Sequence, residues 1–307
     1  MDTATTDLPG AVALVGYGEV GGILAEDLRA QGVAVTAFDI KLATVAGDAM
    51  RQHAQAHGVH LAASAAAAVQ RAALVVSAVT ASQAVAVAQA CAPAIAPGAF
   101  FLDFNSASPG AKISASVHIN AAGGRYVEGA VMTSVPPHRI KVPLLLGGPD
   151  AAALAPLLAA MGFAPRVASS TLGVASATKM CRSVMIKGLE AMVIESFTTA
   201  RAHGVEDAVL ASLAETFPGI DWERQGAYFF QRVIEHGRRR SEEMLEAAQT
   251  VREAGLDPWS ASASAQRQAA VAALADTGLF GTRGEPGFAR SADWRTEADR
   301  LLASRKA

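Results

Sequence analysis

Three glycines near the start of the chain, Gly16, Gly18 and Gly21, have the spacing G-x-G-x-x-G. The first allows a sharp turn, the second lets a pyrophosphate approach the backbone, and the third lets a helix pack closely on a strand. Asp39 follows about 20 residues later, where a carboxylate can accept from both ribose hydroxyls of NAD and repels the 2′-phosphate of NADP. The pattern predicts a dinucleotide site that prefers NAD, and Lys41 is the one nearby residue that would weaken the preference.

The residues around these glycines support the same interpretation. Val12–Val15 is an apolar run typical of a strand buried on both faces, helical periodicity covers Glu19–Gln31, and a second apolar run covers Val33–Phe38. The strand–turn–helix–strand order is the one that places a phosphate on a helix N-terminus. The residues predicted to contact the coenzyme at this turn are Gly16, Tyr17, Gly18, Glu19, Val20 and Gly21.

A second set of reactive side chains lies on a long helical segment in the middle of the chain. Lys179, Ser183 and Lys187 are four residues apart and therefore share one face of a helix, with Glu190 near the same stripe. A solvated face would explain these charges, but the helix is otherwise apolar, and a lysine on a largely buried helix is unfavourable unless it is paired or used. Burial beside a positively charged nicotinamide favours the neutral amine that a general base needs.

The remaining pattern indicates two kinds of domain. Strands and helices alternate as far as Val167, which predicts a Rossmann-type doubly wound, mostly parallel α/β sheet. The part after it is predicted to be all helical, with helices at Leu172–His203, Glu206–Thr216, Trp222–Glu235, Ser241–Ala254, Ser260–Ala275 and Asp293–Ser304. Gly237 is predicted to break the chain between the third and the fourth of them. We expect a flexible leader at residues 1–10, an NAD(P)-binding domain at 11–168 and a helical substrate and dimerisation domain at 169–307, joined through one long helix.

Candidate coenzyme and substrate contacts follow two strands of the predicted sheet. Strand ends on one edge of an open parallel sheet are where ligands bind. Val79 and Thr80 come after the strand Ala73–Ser77 and are predicted to border the coenzyme. Asn105 and Ser106 follow the next strand, and their neutral donors and acceptors suit a nicotinamide carboxamide or a substrate hydroxyl.

Composition narrows the class of protein. The 307 residues can form two domains, and the net charge of −2 predicts neither nucleic acid nor an anionic membrane as a partner. Cys91 and Cys181 form no metal-ligand pattern or disulfide framework, which suits a reducing cytoplasm, and no metal site is predicted. The N-terminus lacks the features of a secretory signal. The uncharged stretch between Arg71 and Asp103 contains Pro and Gly and is interpreted as part of the sheet domain rather than as a membrane span.

Four separated motifs resemble the signature regions of the β-hydroxyacid dehydrogenases, the family that includes 3-hydroxyisobutyrate and 6-phosphogluconate dehydrogenases. In order they are GYGEVGGILAEDL, DFNSASP, VEGAVMTS and TLGVASATKMCRS, and the resemblance covers about Val12–Ala200. The helical half, with KMCRSVMIKGLE and HGRRRSEEM, is similar to a bacterial subgroup that joins this cofactor domain to its own C-terminal helical domain.

The resemblance implies specific roles. In the family a helix motif G-x-G-x-x-x-K-x-x-x-N supplies the catalytic lysine, which matches Lys179 here, with Ala175 for the second glycine and Ser183 for the asparagine. The D-A-P-V-S-G-G substrate loop of the family is replaced by Glu128–Ser134, which argues against the usual substrates. Family members usually dimerise through the helical domain and have the active site in the cleft between domains.

The predicted function is NAD-dependent oxidation of a small 3-hydroxy acid or related β-hydroxy compound, with Lys179 as general acid/base. Asn105, Thr133 and Ser183 are predicted to orient the substrate. Its remaining candidate contacts are Ser106, Met132, Ser134, Lys187, His236 and Arg239. The basic cluster around His236 and Arg239 would bind a carboxylate or phosphate, and a solvated helix start is the alternative. His138 and Arg139 are weaker candidates of the same kind.

Two other functions stay open at this point. One is an imine (C=N) reductase that uses NADPH, although Lys179 and Asp39 argue against it. The other is a non-catalytic NAD sensor. For the dehydrogenase, the expected partners are a small anionic substrate and a second copy of the chain, and the expected location is the cytoplasm.

Overall fold

The computed structural model describes residues 10–289 and 293–304, and nearly all of the predicted leader lies outside them. The chain divides into two compact units, residues 1–180 and 181–307. The division falls inside the long helix Val174–His203. The predicted functional border at 168/169 remains a prediction.

The first unit contains an eight-stranded sheet. Its strands are β1 Ala11–Val15, β2 Ala34–Phe38, β3 His60–Leu61, β4 Leu74–Ser77, β5 Phe100–Asp103, β6 Arg125–Val131, β7 Pro143–Gly147 and β8 Ala164–Ser169. The order across the sheet is β3-β2-β1-β4-β5-β6-β7-β8, and every neighbouring pair is parallel except β6 and β7. The predicted doubly wound, mostly parallel sheet is confirmed.

Seven helices connect these strands. They are α1 Glu19–Ala30, α2 Gly47–His57, α3 Ala65–Val69, α4 Ala84–Cys91, α5 Pro109–Ala121, α6 Val135–His138 and α7 Ala151–Ala160. The apolar run of β1 is buried on both faces, since neither Val12 nor Ala13 has exposed surface. In the sheet, β1 has β2 on one side and β4 on the other, so the order of the strands runs outward from β1 in both directions. In open α/β sheets that switch point, outside the carboxyl ends of the strands, is where ligands bind.

Local contacts set the boundaries of two of these elements. α2 begins only at Gly47, because Ile40–Ala43 forms a 3₁₀ turn capped by the Asp39 side chain. β6 extends beyond Glu128 to Val131, where it pairs with β7.

The second unit is helical. After α8, Val174–His203, come α9 Glu206–Thr216, α10 Trp222–Glu253, α11 Trp259–Asp276 and α12 Trp294–Ala303. Phe197, Phe230 and Trp294 are almost fully buried and form the aromatic centre of its core. Across the described part of the chain, no helix combines the length and apolar character that a membrane span requires.

The break predicted at Gly237 is wrong. One helix, α10, replaces the two predicted at Trp222–Glu235 and Ser241–Ala254. A Cβ at position 237 would lie 2.7 Å from the carbonyl oxygen of Gln268 and 3.2 Å from Cβ of Ala272, both on α11. The glycine therefore permits close packing of two helices, a use that helix propensity alone does not reveal.

Candidate functional site

The glycine-rich turn has the local geometry that a pyrophosphate needs. Gly16 has φ +98°, and a Cβ there would lie 2.3 Å from the carbonyl oxygen of Ala78 after β4. A Cβ on Gly21 would lie 2.1 Å from the carbonyl oxygen of Gly16. Gly18, by contrast, has open space within 4 Å of its Cβ position, and no described side chain caps α1, which starts beside it. The residues therefore fit a dinucleotide, because the turn is tightly packed at Gly16 and Gly21 and has open space at Gly18, where the pyrophosphate would approach.

Asp39 lies at the end of β2 and is fixed by backbone donors. The backbone N–H of Tyr17 donates to its Oδ2 at 2.8 Å, and the N–H of Lys41 donates to its Oδ1 at 2.8 Å. Carboxylate oxygens each accept more than one hydrogen bond. Asp39 thus joins the glycine-rich turn to the next strand and retains acceptor capacity for ribose hydroxyls.

Asn105 bridges the ends of β4 and β5. Its Oδ1 accepts from the backbone N–H of Val79 at 2.6 Å, and its Nδ2 donates to Oγ of Ser77 at 3.0 Å. The residue is 3% exposed. These contacts hold in place the loop that contains Val79 and Thr80, so the structure shows Asn105 as a positioning residue, and its direct contact with coenzyme or substrate remains a prediction.

A buried charged network lies beneath this loop. Nζ of Lys112, on α5, is 2.7 Å from Oδ1 of Asp103 and the lysine is 1% exposed. The hydroxyl of Tyr126 donates to Oδ2 of Asp103 at 2.7 Å. Burial, and then the negative charge of Asp103, raise the pKa of Tyr126 well above its ordinary value, so the phenol keeps its proton. The sequence carries no signal that separates Lys112 from a solvated lysine in a first helical turn.

Glu128 anchors the start of α8. Its carboxylate, which is fully buried, accepts from the backbone N–H of Gly173 at 2.9 Å and of Ala175 at 3.0 Å, and from Oγ of Ser176 at 2.7 Å. A negative charge at a helix N-terminus is stabilised by the free N–H groups and the helix dipole. Gly147 lies opposite on β7, where a Cβ would be 2.2 Å from Oε1 of Glu128. The middle of β6 thereby holds the start of α8, the helix that carries Lys179.

Lys179 and Ser106 meet at the carboxyl edge of the sheet. Nζ of Lys179 lies 2.5 Å from Oγ of Ser106, which follows β5. Lys179 is half-buried, and so is Ser106. Two residues predicted from separate motifs therefore contact each other within the first unit. An amine beside a hydroxyl at a coenzyme-binding edge is an arrangement that can transfer a proton.

The loop after β6 contains Met132, Thr133 and Ser134, three residues that the sequence predicts to contact the substrate. Met132 packs against Ala130, Leu145 and Ala175, while Thr133 is exposed and Ser134 precedes α6. The substrate contacts of these three polar or sulfur-containing side chains remain predictions.

Arg139, on the same loop, has protein partners for its charge. Its guanidinium donates to Glu26 at 2.6 Å and to Asp27 at 2.8 Å. These ion pairs fasten the loop to α1 and account for the arginine without a substrate. His138 is exposed.

Lys187 and Arg240 belong to a buried charged network in the second unit. Nζ of Lys187 lies 2.5 Å from Oε2 of Glu243 and 3.5 Å from Oγ of Ser183. Arg240 forms two hydrogen bonds with Glu190, one of them at 2.9 Å. Burial lowers the pKa of Lys187, and the charge of Glu243 opposes that shift. Lysine and arginine are each compensated here, as buried charges must be.

The basic cluster around residue 238 lies in the middle of α10, not at a helix start. Its members have different partners: Arg238 pairs with Asp276, and Arg239 lies 3.9 Å from Glu243. His236 is half-buried, and burial followed by the charge of Arg232 lowers its pKa. The predicted roles of His236 and Arg239 as substrate ligands remain predictions.

Comparison with known proteins identifies the family. Residues 11–173 match the model of the NAD binding domain of 6-phosphogluconate dehydrogenase. The chain belongs to this family. Residues 200–271 match a domain of unknown function (DUF1932). The family predicted from the four motifs, including its distinct helical C-terminal domain, is confirmed, and the first unit is an NAD(P)-binding domain of the 6-phosphogluconate dehydrogenase type. No curated protein sequence matches the chain at a significant level.

Solved structures extend the likeness to the whole chain. A conserved hypothetical protein from Sinorhizobium meliloti 1021 is 35% identical, with a TM-score of 0.76, and the match covers 95% of this chain and 96% of that one. The 3-hydroxyisobutyrate dehydrogenase of Mycobacterium tuberculosis, solved with L-serine, is 18% identical with a TM-score of 0.72, covering 96% and 99%. An imine reductase from Aspergillus terreus, solved with NADPH4 and dibenz[c,e]azepine, is 19% identical with a TM-score of 0.54, covering 93% and 98%. At these lower identities the likeness concerns the fold, which is that of hydroxyacid dehydrogenases.

Proposed function

We propose that the protein is an NAD-dependent dehydrogenase that oxidises a small 3-hydroxy acid or a related β-hydroxy compound, with Lys179 as general acid/base. The observation that carries the proposal is the 2.5 Å contact between Nζ of Lys179 and Oγ of Ser106. This contact lies in a unit whose family binds NAD(P), and at the sheet edge where the coenzyme turn also lies. A proton acceptor and a hydride acceptor are the two groups that alcohol oxidation requires.

The coenzyme contacts follow from the geometry of the edge. The backbone from Gly16 to Gly21 would hold the pyrophosphate, Asp39 the adenosine ribose, and Val79 with Thr80 the border of the nicotinamide side. Bound NAD would supply the hydride acceptor at its nicotinamide ring. Preference for NAD over NADP rests on the charge of Asp39.

Lys179 would handle the proton. Its neutral amine would take the proton of the substrate hydroxyl, while NAD held by the residues above would accept the carbinol hydrogen as hydride, so that the product would be a ketone or aldehyde. Ser106 accepts a hydrogen bond from the resulting ammonium and so holds it in place. Asn105 and Thr133 would orient the substrate from the same unit, and Ser183 follows Lys179 by one turn of α8.

The test is NAD reduction, followed by NADH absorbance, over a panel of 3-hydroxy acids. We expect turnover by the wild type and a loss of about 10²–10⁴-fold in kcat for Lys179→Ala, the usual contribution of a general base. Lys141→Ala is the matched control, because Lys141 is an exposed lysine of the same unit and should retain full activity.

Near-full turnover by Lys179→Ala would contradict the assigned role of the lysine. Reduction of a cyclic imine with NADPH, without any alcohol oxidation, would favour the imine reductase. NAD binding with no turnover on either panel would favour the sensor.

The proposed enzyme would act on a small molecule, pair with a second copy of itself and work in the cytoplasm. Its substrate would be a small anion, and its oligomer a homodimer formed through the helical unit. Cys91 and Cys181 are free thiols, which fits a reducing compartment such as the cytoplasm.

A further inference from the structure

A group of three potential metal ligands lies on α1 and α2 and has no part in the proposed function. Glu26 is on α1, while His53 and His57 are on α2. One ligand atom from each residue lies within 4.8 Å of the other two. We call this group the Glu26–His53–His57 cluster. Imidazole nitrogens and a carboxylate oxygen are the ligand types that bind Zn²⁺ and similar divalent transition metals.

The spacing of the two histidines places them on one face of a helix. They are four residues apart on α2, and their ring centroids are 4.5 Å apart. Nε2 of His53 lies 2.9 Å from Oε1 of Glu26, and Nε2 of His57 lies 3.9 Å from the same oxygen. Ligands about 2.1 Å from a tetrahedral Zn²⁺ are about 3.4 Å from one another. The two observed distances lie on either side of that value, so small side-chain rotations would complete the three-ligand face.

His53 and Glu26 each have a partner for the atom that does not face the cluster. Nδ1 of His53 is 2.8 Å from the hydroxyl of Tyr17, and Oε2 of Glu26 accepts from Arg139 at 2.6 Å. A metal-bound histidine donates its other ring N–H to such an outer partner, which fixes the tautomer.

The charge balance also suits a cation. Glu26 brings the one carboxylate of the cluster beside its two imidazole rings. The positive charge of Arg139 is compensated by Asp27 as well as by Glu26. Side chains of His53 and Glu26 are each 30% exposed and that of His57 is 39% exposed, which leaves an entry path and room for water as a fourth ligand.

We propose that the Glu26–His53–His57 cluster is a binding site for one Zn²⁺ ion or a similar divalent transition metal. The ion replaces the hydrogen bond between His53 and Glu26 and links α1 to α2. Because Tyr17 belongs to the glycine-rich turn and contacts His53, the ion would also stiffen that turn. The inference is independent of the proposed function, since its test measures metal binding rather than turnover.

The test is Zn²⁺ titration by calorimetry of the full-length protein, prepared without a histidine tag and stripped with a chelator. We expect one bound equivalent and a rise in Tm with Zn²⁺, but not with Mg²⁺, which prefers oxygen ligands. His57→Asn should weaken binding at least tenfold and remove the rise in Tm; changes outside the coordination shell already reach about 10-fold. His60→Asn is the matched control, because His60 is exposed, close in sequence and outside the cluster.

Equal Zn²⁺ affinity in His57→Asn and wild type would place the ion elsewhere and overturn the proposal. Absence of Zn²⁺ binding in the wild type would overturn it as well. Glu26→Gln provides a second check that does not depend on one histidine, since loss of the carboxylate charge should also weaken binding at least tenfold.

Discussion

The contact between Lys179 and Ser106 concentrates the proposed chemistry in two side chains. They are 73 residues apart in sequence and 2.5 Å apart in space. A hydrogen bond to a charged group contributes about 1.5–3 kcal/mol. Removing it should therefore change the rate of the step in which the lysine becomes charged.

Ser106→Ala should lower kcat about 10–100-fold, since about 1.4 kcal/mol corresponds to a tenfold rate change. KM for NAD should stay within about twofold of the wild-type value, because Ser106 contacts Lys179 rather than the glycine-rich turn. Ser106→Thr retains the hydroxyl and should recover most of the rate in steady-state assays. A fall in kcat that threonine does not reverse would show that the hydroxyl acts only through packing.

Asp39→Asn tests the coenzyme preference. The amide is nearly the same shape as the carboxylate, but it keeps only one of the two oxygens that accept from the N–H groups of Tyr17 and Lys41. It removes a repulsion worth about 4 kcal/mol for charges about 4 Å apart at an effective dielectric of 20. The ratio of kcat/KM for NAD to that for NADP should therefore fall at least about tenfold.

Asp48→Asn is the control for this change, because Asp48 is exposed and pairs with Arg51 rather than with the coenzyme turn. A wild type that uses NADP as well as NAD would refute the role assigned to Asp39.

Helix α10 shows where a local sequence pattern fails and why. Gly237 looked like a helix end because glycine weakens helices by about 1 kcal/mol. Its function depends on α11, which packs against it and which no local pattern reveals. The glycine-rich turn was predictable, by contrast, because the contacts that require Gly16 and Gly21 belong to a recognisable local motif.

Gly237→Ala should destabilise the protein by about 1–3 kcal/mol, the usual penalty for overpacking, even though alanine favours a helix. Gly188→Ala is the matched control on α8, where a Cβ would meet only Oγ of Ser264 at 3.7 Å, and it should be neutral or stabilising by up to about 1 kcal/mol. Urea unfolding measures both. Equal stability of the two variants would mean that α10 and α11 separate readily at residue 237.

Buried ionic residues were the least predictable part of the site. Lys112, Asp103 and Glu128 have no exposed surface or almost none. Lys112 and Asp103 pair between a helix and the strand before it, and Glu128 accepts from Ala175, 47 residues away. Charged residues are rarely buried, so composition and periodicity assign them to the surface. Lys179 was predictable because a family motif and an apolar helix both pointed to it.

At the scale of the whole molecule, the fold class and its division into a sheet part and a helical part followed from periodicity. The strand order and the antiparallel β6–β7 pair did not, because pairing between strands is decided by contacts far apart in sequence. The proposed homodimer depends on surfaces that the single chain leaves exposed. On α8, Met185 and Met192 are seven residues apart, on one face, and are 72% and 62% exposed.

Met192→Glu should dissociate the dimer, because a charge buried in an apolar interface is unpaired. Light scattering after size exclusion should give twice the chain mass of 31.5 kDa for the wild type and a single chain mass for the variant. Val45→Glu, at a 93% exposed apolar position of the sheet unit, is the control and should stay dimeric. A monomeric wild type at micromolar concentration would refute the proposed dimer.

The pairing of Glu128 with Gly147 restricts the paths by which this chain can change. Any side chain at 147 collides with the carboxylate at 128, yet that carboxylate is what holds the start of α8. The two positions are therefore epistatic: a substitution at 147 is harmful alone and becomes tolerable only after the acid has been shortened. Shortening the acid first releases the helix that carries Lys179. A route to a larger residue at 147 thus passes through a sequence with an unanchored lysine, and the order of substitutions, not only their sum, decides whether function survives.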